Sequence, residues 1–312
     1  MATVPKSTIA QPPKPVGVVT PPLGAAKSIT PAIKAPLFRI ETVQRRERYL
    51  KAMIYGTYGI GKTTLACSAL DVKSMKDVVI INAESGDLSV DHMEGLDAIT
   101  VTDFKRLGQI NEFLKQHCNA RDAGDIARLK TMEAHLRGVD ESEIKKPRQY
   151  RTVVLDSLSE LEAYCFNQLL GISSATPLDE ESESAEWAEY KKNNTMILRV
   201  VRAFRDLPMN VIFTCGEKYN QDETKKYKYV PDLTGQLAKK VQGFMDMVGY
   251  YTMVKNDAGA TQRRLFVTPP GSGRYDAKHR YQAFKGDHFV DPTIGSILKE
   301  VGLLNKDGTA LK

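Results

Sequence analysis

GTYGIGKTT, Gly56 to Thr64, decides how the rest of the chain is read. It fits G-x-x-x-x-G-K-[ST] at every fixed position, running from Gly56 through Thr57, Tyr58, Gly59 and Ile60 to Gly61, Lys62 and Thr63. Glycines let a backbone wrap closely around an anion, so that successive N–H groups point inward at phosphate oxygens. A helix opening near Gly61 adds its positive dipole end. Lys62 is placed to reach the β- and γ-phosphates, and the Thr63 hydroxyl to ligate Mg²⁺. The flanks are the ones the motif needs. YLKAMIY (49–55) reads as a buried strand before the loop, and TTLACSAL (63–70) as a helix after it. ATP with Mg²⁺ is the expected ligand, held by Gly56 to Thr64 inclusive.

Outward from this loop, apolar runs of strand length recur: DVVIINAE (77–84), AITVTD (98–103), RTVVLD (151–156), MNVIFTC (209–215), MVGYYTMV (247–254) and RRLFVTP (263–269). Helical patterns separate most of them, at 104–117, 157–171, 187–207 and 233–246. Such alternation predicts an α/β fold, a mostly parallel twisted sheet with helices on both faces. Residues 119–150 are highly charged and read as an inserted helix (ARLKTMEAHLRG) followed by an exposed connector (ESEIKKPRQ). DEESESAE (179–186) reads as a solvated loop. Trp187, the one tryptophan, is expected to pack against core or helix rather than stack on a base. Residues 1–37 hold eight of the fifteen prolines, four lysines and no acid. Such a segment buries too little to offset its ordering entropy and is expected to be a disordered or polyproline tail. The ATPase domain is expected over 38–290, with a C-terminal extension at 291–312.

The 312 residues are 42% hydrophobic and 26% charged, ordinary values for a globular chain. No apolar run approaches the ~18 residues of a membrane span. No compact apolar h-region follows the N-terminal charges, so no signal peptide is expected. Cys67, Cys118, Cys165 and Cys215 are scattered and fit no zinc spacing. They are expected to be reduced core thiols in a cytoplasmic protein. The net charge of +6 suits an anionic partner such as nucleic acid, though many cytosolic enzymes are as basic.

Two carboxylates stand where the loop would need them. Asp156 ends RTVVLD, an apolar strand of the type expected beside the phosphate loop, where it supports Mg²⁺ through water. The competing reading is a cap on the following helix. Glu84 ends the strand that follows the first helix, at the same expected sheet edge, where it polarises an attacking water. The competing reading is a surface acid before the turn at Gly86.

A phosphate loop, then a strand ending in Glu84, then a strand ending in Asp156 resembles the RecA-type arrangement. INAESGDLS (81–89) looks like the segment of RecA-like ATPases that carries the catalytic glutamate, and the residue after Asp156 is Ser157 rather than a glutamate. Over residues 48 to 285, apart from the charged insertion at 119–150, with LPMNVIFTC, PDLTGQL, MDMVGYY and AKHR, the chain resembles small phage-encoded RecA-like ATPases. These are known as phage nucleotide-binding proteins, and some are single-strand annealing proteins. The resemblance implies ATP hydrolysis stimulated by DNA and binding of single-stranded DNA in recombination, annealing or replication. It further implies a ring or filament of identical copies in the host cytoplasm, with a single-strand-binding protein as a further partner. DAKHRYQAF (276–284) contains Lys278-His-Arg280, similar to the K-x-R element of the RadA and hexameric-helicase branches. There the two cations reach a neighbouring subunit's γ-phosphate; the competing reading is a pair of solvated surface cations. One departure stands out. Gly216 occupies the place of a polar sensor, often His, so sensing is expected to move to Thr214 or Glu217, or to weaken.

In RecA-like proteins the DNA-facing loops follow the Asp strand and the sensor strand. Here that places Lys218, Lys225, Lys226, Tyr227, Lys228 and Tyr229, cations for backbone phosphates with rings for stacking. The alternative is a β-hairpin whose Lys and Tyr alternate across one solvated face. Arg263 and Arg264 are weaker candidates for the same contacts and read better as surface charge. Rival functions are an ATP-gated DNA-binding or annealing module with little turnover and a helicase-like motor. A small-metabolite kinase is disfavoured, because no Arg-rich lid cluster stands in the right place.

Overall fold

The apolar runs become the strands of one large sheet. A computed structural model describes residues 49–84, 86–173, 175–177, 179, 185–221 and 225–304. The proline-rich segment at 1–37, most of the acidic stretch at 179–186 and residues 305–312 lie outside them. The strands are β1 (Lys51–Tyr55), β2 (Val78–Asn82), β3 (Asp97–Thr100), β4 (Thr152–Asp156), β5 (Asn210–Cys215), β6 (Glu217–Gln221), β7 (Tyr227–Pro231), β8 (Met247–Lys255), β9 (Thr261–Phe266), β10 (Lys278–His279) and β11 (His288–Val290). The large sheet runs β11-β9-β8-β1-β5-β4-β2-β3, with β10 also against β8, while β6 and β7 form a separate hairpin. From β8 to β3 every neighbour is parallel; β9, β10 and β11 join antiparallel.

β2, β4 and β5 are buried along their whole length, as expected for strands covered on both faces of a parallel sheet. Successive side chains point to opposite faces. Met53, Ile81, Val153, Leu155, Val211 and Phe213 therefore feed one core. Ala52, Ile54, Ile80, Val154 and Ile212 feed the other. The first core is covered by α2 (Arg106–Asp122), α4 (Leu158–Leu169), α5 (Trp187–Arg205) and α6 (Leu237–Phe244). The second is covered by α1 (Lys62–Cys67) and α7 (Ile294–Glu300). The fold is α/β with a mostly parallel sheet between helical layers.

Several expectations are corrected. β5 lies between β1 and β4, so the strand of Asp156 is not next to the strand of the phosphate loop. The expected insertion does not begin at 119, because α2 continues to Asp122. Arg121 is buried there and donates to the carbonyls of Tyr150 and Pro208, both at 2.7 Å. α3 (Ile126–Arg137) follows, and the connector after it is anchored by buried Ile144. The segment from 291 packs into the second core through Ile294, Ile297, Leu298, Val301 and Leu304. Trp187 is 85% exposed at the start of α5, not packed. The four cysteines are buried and unpaired, as expected. Among the described residues no helix is long and apolar enough to cross a membrane.

Phe213, fully buried at the centre of the sheet, tests this packing. Phe213→Ala is expected to lower unfolding stability by about 3–5 kcal/mol in urea titration. An unchanged midpoint would contradict the core described.

Candidate functional site

The C-terminal ends of β1, β5, β4 and β2 lie side by side, the edge where parallel α/β sheets bind ligands. The loop Gly56–Thr64 leaves that edge. Gly56 must lack a side chain, because a Cβ would stand 2.1 Å from the Tyr251 carbonyl oxygen. Gly61 sits at φ +97° and caps α1 without any side-chain hydrogen bond, so no capping side chain takes the first amides of the helix. The loop's carbonyls are engaged. Lys62 Nζ donates to Gly56 O at 3.0 Å and Thr57 O at 2.9 Å. Arg263 Nε donates to Ile60 O at 3.1 Å, and Leu65 N–H to Gly61 O at 2.9 Å. Burial pushes the Lys62 ammonium down from its ordinary value, against the opposing charges of Glu84 and Asp156. The exposed Tyr58 ring lies 5.4 Å from the Lys62 nitrogen.

Asp156 is 1% exposed. Its Oδ2 accepts from the Thr63 hydroxyl at 2.8 Å, and its Oδ1 from the Thr214 hydroxyl. Thr214 comes from β5, so the intervening strand brings its own partner for the carboxylate. The helix-cap alternative is not what the structure holds, since α4 is capped by the Ser157 hydroxyl. Thr63 and Asp156 offer two hard oxygens side by side next to the uncapped amides. That donor set fits a Mg²⁺ that takes its remaining ligands from phosphate and water.

Glu84 emerges from a pinned backbone. Ala83 N–H donates to Asp156 O at 2.7 Å, and the Tyr164 hydroxyl donates to Ala83 O at 2.9 Å. The Glu84 carboxylate is exposed and accepts from the buried Ser157 hydroxyl. Its charge acts on Lys62 and on Glu160, whose carboxyl is raised first by burial and then by Glu84.

The two candidates for the missing sensor are placed differently. Thr214 is committed to Asp156. Glu217, at the root of the β6–β7 hairpin, feels the Lys62 charge; burial raises its carboxyl, and the Tyr250 hydroxyl hydrogen-bonds to it. A Cβ at Gly216 would lie 3.4–3.5 Å from Asp232, Ser159 and the Tyr58 hydroxyl, in ordinary contact with all three.

Lys278 and Arg280 are not brought to this edge. β10 pairs with Val248 and Met247 at the start of β8, and Arg280 N–H donates to Asp246 O, whose own N–H donates to Lys51 O. They stand at the opposite edge of the sheet, roughly 15 Å away along β1. Arg280 pairs with Asp246 at 3.0 Å and donates to Gly243 O at 3.0 Å. Burial and Arg280 together lower Lys278.

The hairpin register separates what the sequence interleaves. Tyr219 opposes Tyr229, and Gln221 opposes Tyr227, on one face; Lys218 and Lys228 lie on the other. Tyr219 and Tyr227 stack at 4.8 Å, and the ladder continues through Tyr229 to Tyr250. Lys218 pairs with Asp232 at 3.8 Å, and Lys228 with Asp276. Lys225 takes φ +62° ahead of β7, with Lys226 after it. Lys and Tyr thus do not share one face.

Sequence reasoning missed four supports. Ser157 holds Glu84, and Ser159 accepts Gly216 N–H at 3.0 Å. Buried Glu162 accepts from the Thr234 backbone at 3.1 Å and from Asn193 at 2.8 Å, which gives PDLTGQL its place. Arg263 holds the loop. Only Ser157, directly after the Asp, carried a local signal.

The sequence profile of the AAA_24 family, described as an AAA domain, matches residues 48–281. Two solved structures are similar. The flagellar accessory protein FlaH from Methanocaldococcus jannaschii is 13% identical, with 79% of this chain and 89% of that one covered, at a TM-score of 0.35. The RadB recombinase is 16% identical, covering 78% and 86%, also at 0.35. Both likenesses are too distant to bear on function. No curated protein matches. With the phosphate loop, the Asp156 centre and the profile over most of its length, this chain belongs to the AAA_24 family of AAA domains, on an α/β fold whose mostly parallel sheet carries a phosphate loop.

Proposed function

We propose that the protein hydrolyses ATP at a site shared between neighbouring copies, and that it binds single-stranded DNA in phage recombination, annealing or replication. The observation that carries this reading is the gathering of Lys62, Thr63, Asp156 and Glu84 at one sheet edge while Lys278 and Arg280 stand at the other. One copy would supply the cradle, and the next copy's Lys278 and Arg280 would meet the charge that develops on the transferred phosphoryl group.

In this mechanism the amides at Gly59 to Thr63 take the phosphates, and Lys62 leaves the Gly56 and Thr57 carbonyls for phosphate oxygens. Thr63 and Asp156 would hold Mg²⁺, which neutralises charge on the phosphate oxygens. Glu84, fixed by the Ser157 hydroxyl, accepts a proton from the attacking water. The new P–O bond forms as the bond to the leaving ADP oxygen breaks. Glu217, between Lys62 and the hairpin root, is the residue suited to relay phosphate occupancy to Tyr219 and Tyr227. Those two exposed rings would stack on bases, and the lysines of the other hairpin face would meet phosphates only at a second contact. A single-strand-binding protein is a further partner of this reading. A second reading, ATP-gated DNA binding with little turnover, is favoured by the commitment of Thr214 to Asp156 and the lack of a side chain at Gly216.

Glu84→Gln is expected to cut DNA-stimulated turnover at least about a hundredfold while MgATP still binds. Basal and stimulated rates unchanged in E84Q would remove Glu84 from catalysis, and a wild-type rate near zero would favour the second reading. Lys278→Ala is expected to abolish stimulated hydrolysis with ATP binding to the single chain intact. Normal stimulated turnover in K278A would sink the shared site.

A further inference from the structure

Arg263 reads from the sequence as surface charge, and on β9 it is indeed exposed. Its side chain nonetheless has a defined partner, the carbonyl of buried Ile60 in the phosphate loop, which accepts from its Nε at 3.1 Å. The same nitrogen lies 3.8 Å from where a Cβ on Gly61 would stand. Among the described residues the Arg263 guanidinium makes no ion pair. Its backbone is held from the far side. Arg263 N–H donates to Asp291 Oδ1 at 3.0 Å, and Asp291 N–H donates back to Arg263 O at 2.8 Å. Asp291 sits at φ +40°, a region aspartate tolerates better than most residues. Three residues on, Ile294 N–H donates to Ser68 Oγ at 2.9 Å, and Ser68 Oγ donates to Leu65 O at 2.7 Å. The short segment 291–294 therefore reaches the loop through Arg263 and the end of α1 through Ser68. It lies beyond residue 281, where the family match ends.

A peptide plane gives this contact its meaning. In a trans peptide the carbonyl and the following N–H point in opposite directions. Holding Ile60 C=O outward against a guanidinium turns Gly61 N–H inward, toward the space the phosphates would take. Lys62 does the same for the Gly56 and Thr57 carbonyls only while it lies on them, and a bound phosphate draws it away. Arg263 is attached from outside the loop and remains.

We infer that Arg263 is a positioning residue of the phosphate cradle, and that residues 291–294 are its anchor, a strap from the C-terminal segment that keeps the Ile60–Gly61 peptide oriented for an anion. This rests on the nucleotide-binding reading of the loop. Arg263→Met keeps the stem and removes the donor, Arg263→Lys keeps a donor, and Asp291→Gly removes the acceptor while accepting the positive φ. Two measurements separate the strap from the ligand. In nucleotide-free protein, hydrogen exchange over residues 56–67 is expected to quicken in R263M and D291G, with the global unfolding midpoint unchanged and R263K close to wild type. In titrations with a fluorescent MgATP analogue, R263M and D291G are each expected to bind about tenfold more weakly. The double variant is expected to be no weaker than the worse single one, because both act through one contact. Wild-type exchange in R263M overturns the strap. Faster exchange with unchanged affinity overturns its role in the cradle. Faster exchange in a protein whose wild type does not bind the analogue overturns the nucleotide reading instead.

Discussion

The carboxylate of Asp156 sits almost fully buried at the end of β4, with one oxygen on the Thr63 hydroxyl and the other on the Thr214 hydroxyl. Burying a carboxylate is costly unless its oxygens are satisfied and a cation is near. Here two hydroxyls and the neighbouring Lys62 charge meet that condition. The consequence is geometric. Thr63 opens α1, Thr214 ends β5 and Asp156 ends β4, so one side chain fixes a helix and two strands against each other. The pairing of Leu155 with Phe213 sets the register that brings Thr214 alongside. Glu84 then follows, because Ala83 is tied to the Asp156 carbonyl and Ser157 holds its carboxylate.

The same sheet separates the phosphate loop from Lys278 and Arg280, which is the ground for the proposed shared site. Its parallel strands end at the phosphate loop, and β10 joins at their beginning. No rotamer of Lys278 or Arg280 crosses the length of β1, so cations with a role at a phosphate must serve another copy's loop. The hairpin root touches the cradle through Glu217, and its tip carries the exposed rings. Phosphate loop and hairpin are thus linked by a path of few residues, Lys62, Glu217, Tyr250 and Tyr229.

Much of this was legible in the chain. The phosphate loop is local, and its glycines and Lys62 state their purpose by spacing. VVIIN, TVVLD and NVIFTC are apolar throughout because both faces of their sheet are covered, so the α/β class followed from periodicity. Asp156 and Glu84 were found because each ends such a run. The order of strands was not legible, since no local feature says that β5 slips between β1 and β4. Arg263 was missed because its partner is Ile60, far away in sequence, and TQRRLF looks like any exposed strand. KYKY reads as one interleaved surface until the register assigns its lysines and tyrosines to opposite faces. Trp187 was expected to pack against core or helix, but at the start of α5 it is exposed.

A site completed by a neighbour, as proposed, would make assembly depend on the nucleotide. Sedimentation velocity of the full chain, without nucleotide and with a non-hydrolysable MgATP analogue, across a range of protein concentrations, asks this most directly. The expected result is a small species alone and a ring or filament of several copies with the analogue, lost again in Lys62→Ala. A wild-type protein that binds the analogue and stays a monomer at every concentration would contradict the shared site.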